Sequence, residues 1–487
     1  MRKSIWIIVM MIIILGSSSV FASHIEGTIV EGNKPIYIEI EGISVLTGKD
    51  SVYLLDAYTE MCPLRLITER LGGTIGWDNV QKAAVLEYNH NKYIIYPNTK
   101  KIMLNNVLIE SEHPVMIKDS RIFASFAFFK EILSVKTTRD SANRVLKFNN
   151  PSSSIEDKSL TEDNINTRNK LAAFLTELEF KNGFSGQVVI VKDNKVLIDR
   201  AYGYADYENK IKAETKTTFS VGSITKQMTA AAIMKLYQEN KLGLEDKVSK
   251  YLSNVPHGNE ISIHQLLNHT SGLYDYSNLA LELMMNGGGF VSFDYIMNRI
   301  KDKPLEFTPG TQEKYSNTGY LVLGEIIEQV SEMPLEIYLM KNIFSPANMV
   351  LTKPSYDASG KNVVAKGYKG STDLKPDYLD AIYVKNAYGA GFLCSTAEEI
   401  HLWNTAFLNG KIISQENALL QMTNKYGWIR LSEGYGTEIS HSGNTMGFTS
   451  YNGLFPDTGT EVIIITNKGM ADLYSMKLKL LKIIFQK

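Results

Sequence analysis

The chain has 487 residues, 44% of them apolar and 21% charged, with a net charge of −1. That length exceeds one typical domain and predicts two or three units, each with apolar residues enough for its own core. No block of like charge stands out, which argues against a nucleic-acid partner. The two cysteines, Cys62 and Cys394, are too few for a disulfide-built scaffold. Both sit among apolar residues and read as small core side chains, a single bridge between domains being the alternative.

In chain order, Arg2 and Lys3 come first, then the apolar run Ile5 to Leu15, then small polar residues and Val20-Phe21-Ala22. A charged head, an apolar middle and a small residue at the cut position predict a signal peptide over residues 1–22 and a secreted or cell-surface protein. The alternative is an uncleaved N-terminal membrane anchor, although the apolar run is short for a span.

Residues 23–150 contain a weak repeat. PLRLITERLGGTIGWD (Pro63 to Asp78) aligns without gaps to SFAFFKEILSVKTTRD (Ser125 to Asp140). Each copy predicts a short amphipathic helix, a turn and a β-rich run, and two copies can bury their apolar faces in a small α+β domain. His24, His90 and His113 are isolated and lack metal-ligand spacing. PLRLITERLG, GWD and the degenerate second copy resemble the copper amine oxidase-like N-terminal domain of secreted and surface proteins of Gram-positive bacteria. The resemblance implies an attachment or spacer role, with the cell wall as a candidate partner, and no copper.

Residues 151–165 are polar, Ser-rich and acidic and predict a linker. The remainder, 166–487, predicts one α+β domain. SGQVVIVKD and KVLIDRAYGYAD flank Asp193-Asn194 as a hairpin, and SYNGLFPD and TEVIIITNK form a second strand pair near the end. Mostly helices and loops lie between. This order suggests an antiparallel sheet built from both ends of the domain, with a helical lobe inserted. The final Lys-rich helix, residues 471–487, has apolar Leu473, Met476, Leu480 and Ile484, which fit packing on the sheet or, alternatively, a membrane surface. The glycine-rich stretch Met284 to Phe290 predicts a loop, with a lid as the sharper alternative.

Three motifs carry candidate chemistry. In SVGSITKQMTAAA, Ser223 and Lys226 stand three residues apart at the head of an apolar helix, so hydroxyl and amine are neighbours. An ammonium short of water has a lowered pKa and becomes a usable base for the hydroxyl. The alternative is a capping Ser223 and a Lys226 that reaches solvent. In PGTQEKYSNTGY, Tyr315 and Asn317 precede a helix. A phenol beside a cationic lysine favours phenolate and can relay protons, and the amide can hold a substrate carbonyl or orient Lys226. The alternative is a helix start, with Asn317 as cap and Tyr315 as an apolar staple. In ISHSGNTMGFTS, His441, Ser442, Gly443 and Asn444 lie on a strand whose edge can pair with an extended substrate and lend an N–H to an oxyanion hole.

The order S-x-x-K, Y-x-N, H-S-G resembles the serine β-lactamase and penicillin-binding-protein superfamily in its class C branch. LLNHTSGL, YGAGFLCSTAEEI and HSGNTMGFTSYNGLFP resemble it as well. The resemblance implies a β-lactamase/DD-peptidase-like fold and an acyl-enzyme cycle without cofactor or metal. Ser223 would be the nucleophile, Lys226 its proton acceptor, and Tyr315 a proton relay to the leaving group. Asn317 would contact the substrate amide. His441 would stand at the place of the Lys of K-T-G, with Ser442 and Gly443 after it, and the N–H groups of Ser223 and Asn444 would form the oxyanion hole. His441 in place of a charged Lys makes anchoring of a substrate carboxylate weaker or pH-dependent. Relatives with H-x-G include DD-peptidases, D-amino-acid peptidases and esterases. The implied substrates are therefore D-amino-acid-containing cell-wall peptides, small esters or β-lactams, in that order. A surface binding protein that has lost turnover is the alternative from another class. His269, in NHTSGL, reads as structural.

Overall fold

The computed structural model describes residues 36–40, 43–45, 52–56, 58–71, 73–89, 91–141, 144–149, 160–279, 292–356, 365–370 and 387–486. The signal segment, most of the linker, His24, His90 and the loop at 284–290 lie outside the described residues. The chain divides into two compact units, residues 1–102 with 110–151 and residues 103–109 with 152–487.

The repeat of the first unit is present in its backbone. Helix Leu64–Arg70 leads into strands Thr74–Asp78 and Ala83–Tyr88, and helix Phe126–Glu131 leads into Lys136–Asp140 and Val145–Asn149. In both copies the matched aspartate ends the first strand of a hairpin, pairing with Ala83 or with Val145. Asp78 shows why: its carboxylate accepts the N–H groups of Val80 and Gln81 and so shapes the turn. Leu64, Ile67, Phe128 and Phe129 are the buried apolar helix positions. The unit is richer in strand than its α+β forecast. The repeat supplies four strands, and further strands complete one sheet of four and one of eight.

The second unit starts with helix α1 (Glu162–Asn182), inside the segment expected to be linker. Thr161 caps it by accepting from the Asn164 N–H, and Glu162 and Asp163 occupy the first turn, where the helix dipole favours acids. The acidic run that suggested a linker is thus partly a helix start. Strands β1 (Gly186–Lys192) and β2 (Lys195–Tyr202) form the expected hairpin. Asp193 and Asn194 both take φ above 50° there, the left-handed pair of a type I′ turn.

Strands β3 (Ile429–Glu433), β4 (Gly436–Thr445), β5 (Phe448–Phe455) and β6 (Thr460–Thr466) come from the other end of the unit. The six form one antiparallel sheet in the order β2-β1-β6-β5-β4-β3. Val188, Val462 and Ile464 point to one face, where α1 and the last helix, α2 (Leu473–Phe485), cover them. Leu473, Met476, Leu480 and Ile484 are all buried in that layer, so the last helix packs on the sheet. Val189, Ile463 and Ile465 point to the other face, onto the helical lobe. Cys62 and Cys394 are both buried and free. Among the described residues no helix is long and apolar enough to cross a membrane.

Candidate active site

Strand Phe219–Ser220 delivers the chain to a single turn of 3-10 helix, Gly222–Ile224, and then to the helix Thr225–Gln238. Two glycines let that turn sit against β4. Gly222 has φ +50°, and a Cβ there would stand 3.0 Å from the Asn444 nitrogen. A Cβ on Gly443 would lie 2.0 Å from the Val221 carbonyl oxygen, a distance no side chain can occupy. Ser450 Oγ donates to that same carbonyl at 2.8 Å and ties the turn to β5. Ser223 makes no capping hydrogen bond at either helix start. Its hydroxyl is left for other work.

Lys226 is fully buried. Its Nζ lies 3.1 Å from Ser223 Oγ, 2.9 Å from Asn317 Oδ1 and 2.7 Å from the Ala390 carbonyl. Both carbonyl-type oxygens can only accept. A neutral amine has two N–H groups and one lone pair. Once Asn317 and Ala390 have taken the two N–H groups, the lone pair is left facing the serine hydroxyl. Burial pushes the lysine down to about 7, a fall that the nearby Asp275 carboxylate only partly opposes. Near neutral pH an appreciable share of the molecules therefore holds a free base beside Ser223.

Tyr315 is gripped by His269. The two rings stack 4.6 Å apart at 32°. His269 Nδ1 accepts the Ser316 N–H at 3.1 Å, and its carbonyl accepts the Lys314 N–H at 2.9 Å. Nδ1 as acceptor puts the ring proton on Nε2, and burial with the charge of Lys226 pushes the imidazole down to about 3. His269 itself takes φ +62°, a region in which histidine is commoner than most side chains. The structural reading of His269 therefore extends to positioning Tyr315, which sequence reasoning passed over.

The Tyr315 phenol lies near enough to the Ser223 hydroxyl to feel it, and Lys226 Nζ lies 4.9 Å from its ring centre. Burial raises the phenol well above its ordinary value, with a smaller push from Asp275. This corrects the expected phenolate: desolvation outweighs the smaller, opposing pull of Ser223, and the phenol keeps its proton. Ser316, not Asn317, caps the following helix, Asn317–Ser331, by accepting from Gly319. That frees the Asn317 side chain for Lys226, while its N–H donates to Asp275 Oδ2 at 2.7 Å.

On β4, His441 is buried, and its ring centre lies 5.9 Å from that of Tyr315. Ser442 and Asn444 alternate to the other face and are exposed. The Ser442 side chain is thus not directed with His441; its carbonyl instead accepts from His441 Nδ1 at 2.6 Å. The ladder between β4 and β3 stops at Ser440. Residues 441–445 pair with β5 alone, which leaves their other edge open next to the serine turn.

Two participants were missed by the sequence reading. Asp275 opens an Asx turn with Ser277 and holds Asn317 in place; its signal was the Asp-x-Ser spacing. The Ala390 carbonyl belongs to a short turn, Tyr388–Ala390, and backbone oxygens have no sequence signature.

A family model described as Beta-lactamase matches residues 171–474. The chain belongs to the β-lactamase family. A second model, Copper amine oxidase N-terminal domain, matches residues 40–148. The putative penicillin-binding protein PbpX of Bacillus subtilis (strain 168) is 30% identical over 310 residues, 62% of this chain and 74% of the relative. Penicillin-binding protein 4* of the same strain is 29% identical over 328 residues, 62% of this chain and 72% of that one. The octameric penicillin-binding protein homologue from Pyrococcus abyssi superimposes with a TM-score of 0.57 at 26% identity, over 65% of this chain and 77% of that one. Among β-lactamase family members, this chain thus has penicillin-binding-protein-like serine hydrolases as relatives, and it shares their α+β catalytic fold behind a β-rich N-terminal unit.

Proposed function

We propose that this chain is an exported serine hydrolase that works through an acyl-enzyme on Ser223, with D-amino-acid-containing peptides of cell-wall material as its substrates. The observation that carries this reading is the hydrogen-bond count at Lys226. Two obligate acceptors take its N–H groups, and only the Ser223 hydroxyl is left to meet the lone pair. A buried lysine used only for structure has no need of such an arrangement.

The geometry supports the following cycle. Lys226 takes the Ser223 proton as Oγ bonds to the acyl carbon. The charge gathering on the acyl oxygen meets the N–H groups of Ser223 and Asn444. The Tyr315 phenol, already protonated, gives its proton to the leaving nitrogen, and the resulting phenolate is reprotonated by the Lys226 ammonium. Water repeats the steps on the ester. In this reading the open edge of β4 pairs with an extended acyl donor, and Asn317 contacts its amide. The N-terminal unit would hold the enzyme near its substrate as an attachment or spacer.

The test is intact-mass measurement after exposure to a fluorescent penicillin and to a peptide ending in D-Ala-D-Ala. The wild type should gain one acyl mass on Ser223, and Ser223→Ala should gain none while keeping its circular dichroism spectrum. Acylation of the Ser223→Ala protein would place the nucleophile elsewhere.

A further inference from the structure

The carbonyl that Ala390 lends to Lys226 belongs to a turn that the fold holds against its own preference. Tyr388 opens that turn, Tyr388–Ala390, with φ +40°, a region where a bulky side chain is an outlier and glycine would sit freely. A backbone kept there needs surroundings that over-determine it.

Two helices supply them. Thr229 stands one turn beyond Lys226 on the same face of the helix Thr225–Gln238. Its hydroxyl donates to the Gly389 carbonyl at 2.8 Å, so Thr229 and Lys226 take successive carbonyls of the turn. The helix Asn317–Ser331 closes the other side. A Cβ on Gly389 would stand 2.6 Å from the Tyr320 carbonyl oxygen, and a Cβ on Gly324 would stand 2.8 Å from Tyr388 Cε1. The Tyr388 ring is therefore seated on the bare backbone of Gly324, with the Phe392 ring 5.7 Å away on its own segment. Any relaxation of Tyr388 towards an ordinary φ would lift the ring from Gly324 and swing the next two carbonyls away from Thr229 and Lys226.

Resting on the acyl-enzyme reading above, we propose that Tyr388 is a positioning residue for the base: its ring, lodged on Gly324, locks the turn so that Ala390 keeps one N–H of Lys226 and the lone pair stays on Ser223. Without the lock the amine is free to turn an N–H towards the hydroxyl, and in that pose it accepts no proton.

The experiment follows the rate of Ser223 acylation by a fluorescent penicillin, read by intact mass on the full chain. Tyr388→Gly accepts the same φ and removes the ring; it should slow acylation about tenfold or more, the scale of a small misplacement of a reacting group. Tyr388→Phe, which keeps the ring, should restore most of the rate. Gly324→Ala moves the ring without altering the turn's own residues; it should slow the wild type and add nothing to Tyr388→Gly. In a Lys226→Ala background, Tyr388→Gly should leave the residual rate nearly unchanged, because the ring acts only through that amine. A Tyr388→Gly protein that acylates at the wild-type rate overturns the proposal. So does an equal slowing with and without Lys226, which would make the ring a contact of the fold alone. Absence of any adduct on wild-type Ser223 is a different result: it defeats the acyl-enzyme reading itself and this proposal with it.

Discussion

At the scale of single residues, the site depends on a lysine that the fold deprives of water. A buried amine costs free energy, and the fold recovers part of it through two carbonyl acceptors and the faces of Tyr315 and Tyr320. The consequence can be read in solution. Lys226 works as a base only when neutral, and with its pKa lowered to about 7 the active form is lost as the pH falls through that value. kcat/KM should therefore climb between about pH 6 and 8 and level off above. Lys226→Ala should lower kcat/KM by roughly 10²–10⁴-fold and abolish that limb. A limb that persists in Lys226→Ala would assign it to another group. Ser223 with Lys226, and Tyr315 with Asn317, were legible as two local pairs from their spacing, and the family resemblance is what set the two pairs side by side. The protonation state of Tyr315 was not, because it depends on how much protein surrounds one oxygen.

At the scale of elements, β4 joins two environments. Its His441 and Gly443 face the serine turn, while Glu438 lies buried towards the last helix. There Glu438 meets Lys477 at 2.9 Å and also accepts from Tyr451 and Ser440. The contact couples α2 to the strand that carries the open edge. Removing one partner strands a charge in the interior. Glu438→Leu should lower stability by about 3–5 kcal/mol, whereas Glu438→Leu with Lys477→Met should recover most of the loss. Thermal unfolding of the three proteins checks this, and equal losses in the single and double variants would show that the pair has no coupling. The strands and the last helix were legible from alternation and from the stripe Leu473, Met476, Leu480, Ile484. The partner of Lys477 was not, because a lysine on an amphipathic helix has the same sequence signature whether it meets water or a carboxylate.

At the scale of the whole molecule, the chain is two units whose boundary lies earlier than the composition suggests. Helix α1 begins at Glu162 and buries Leu171, Ala172 and Leu175 against the sheet of the second unit. Its first turn is fixed by the Thr161 cap and by Asp163, whose carboxylate meets Lys192 at 2.5 Å. A chain beginning at residue 160 should therefore fold alone and keep kcat/KM on small substrates within about threefold. One beginning at residue 167 should be less stable by about 1 kcal/mol, the usual cost of a lost cap. Melting temperatures and activities of the two truncations check the boundary; equal melting temperatures would remove α1's first turn from the stable unit.

The amino-acid sequence alone determined the chemistry on offer and the local shapes that hold it: the helix behind Ser223, the hairpin at Asp193-Asn194, the repeat, the strand around His441. Those features come from neighbours within a few residues, where spacing and side-chain type decide the geometry. Tertiary structure alone decided that Lys226 is dry, that Ala390 lends it a carbonyl from 164 residues away, that Tyr315 keeps its proton, and that His441 is buried beside the Tyr315 ring. Each of these depends on which atoms surround a group in space, and solvation and hydrogen-bond partners are set by contacts that sequence distance does not encode.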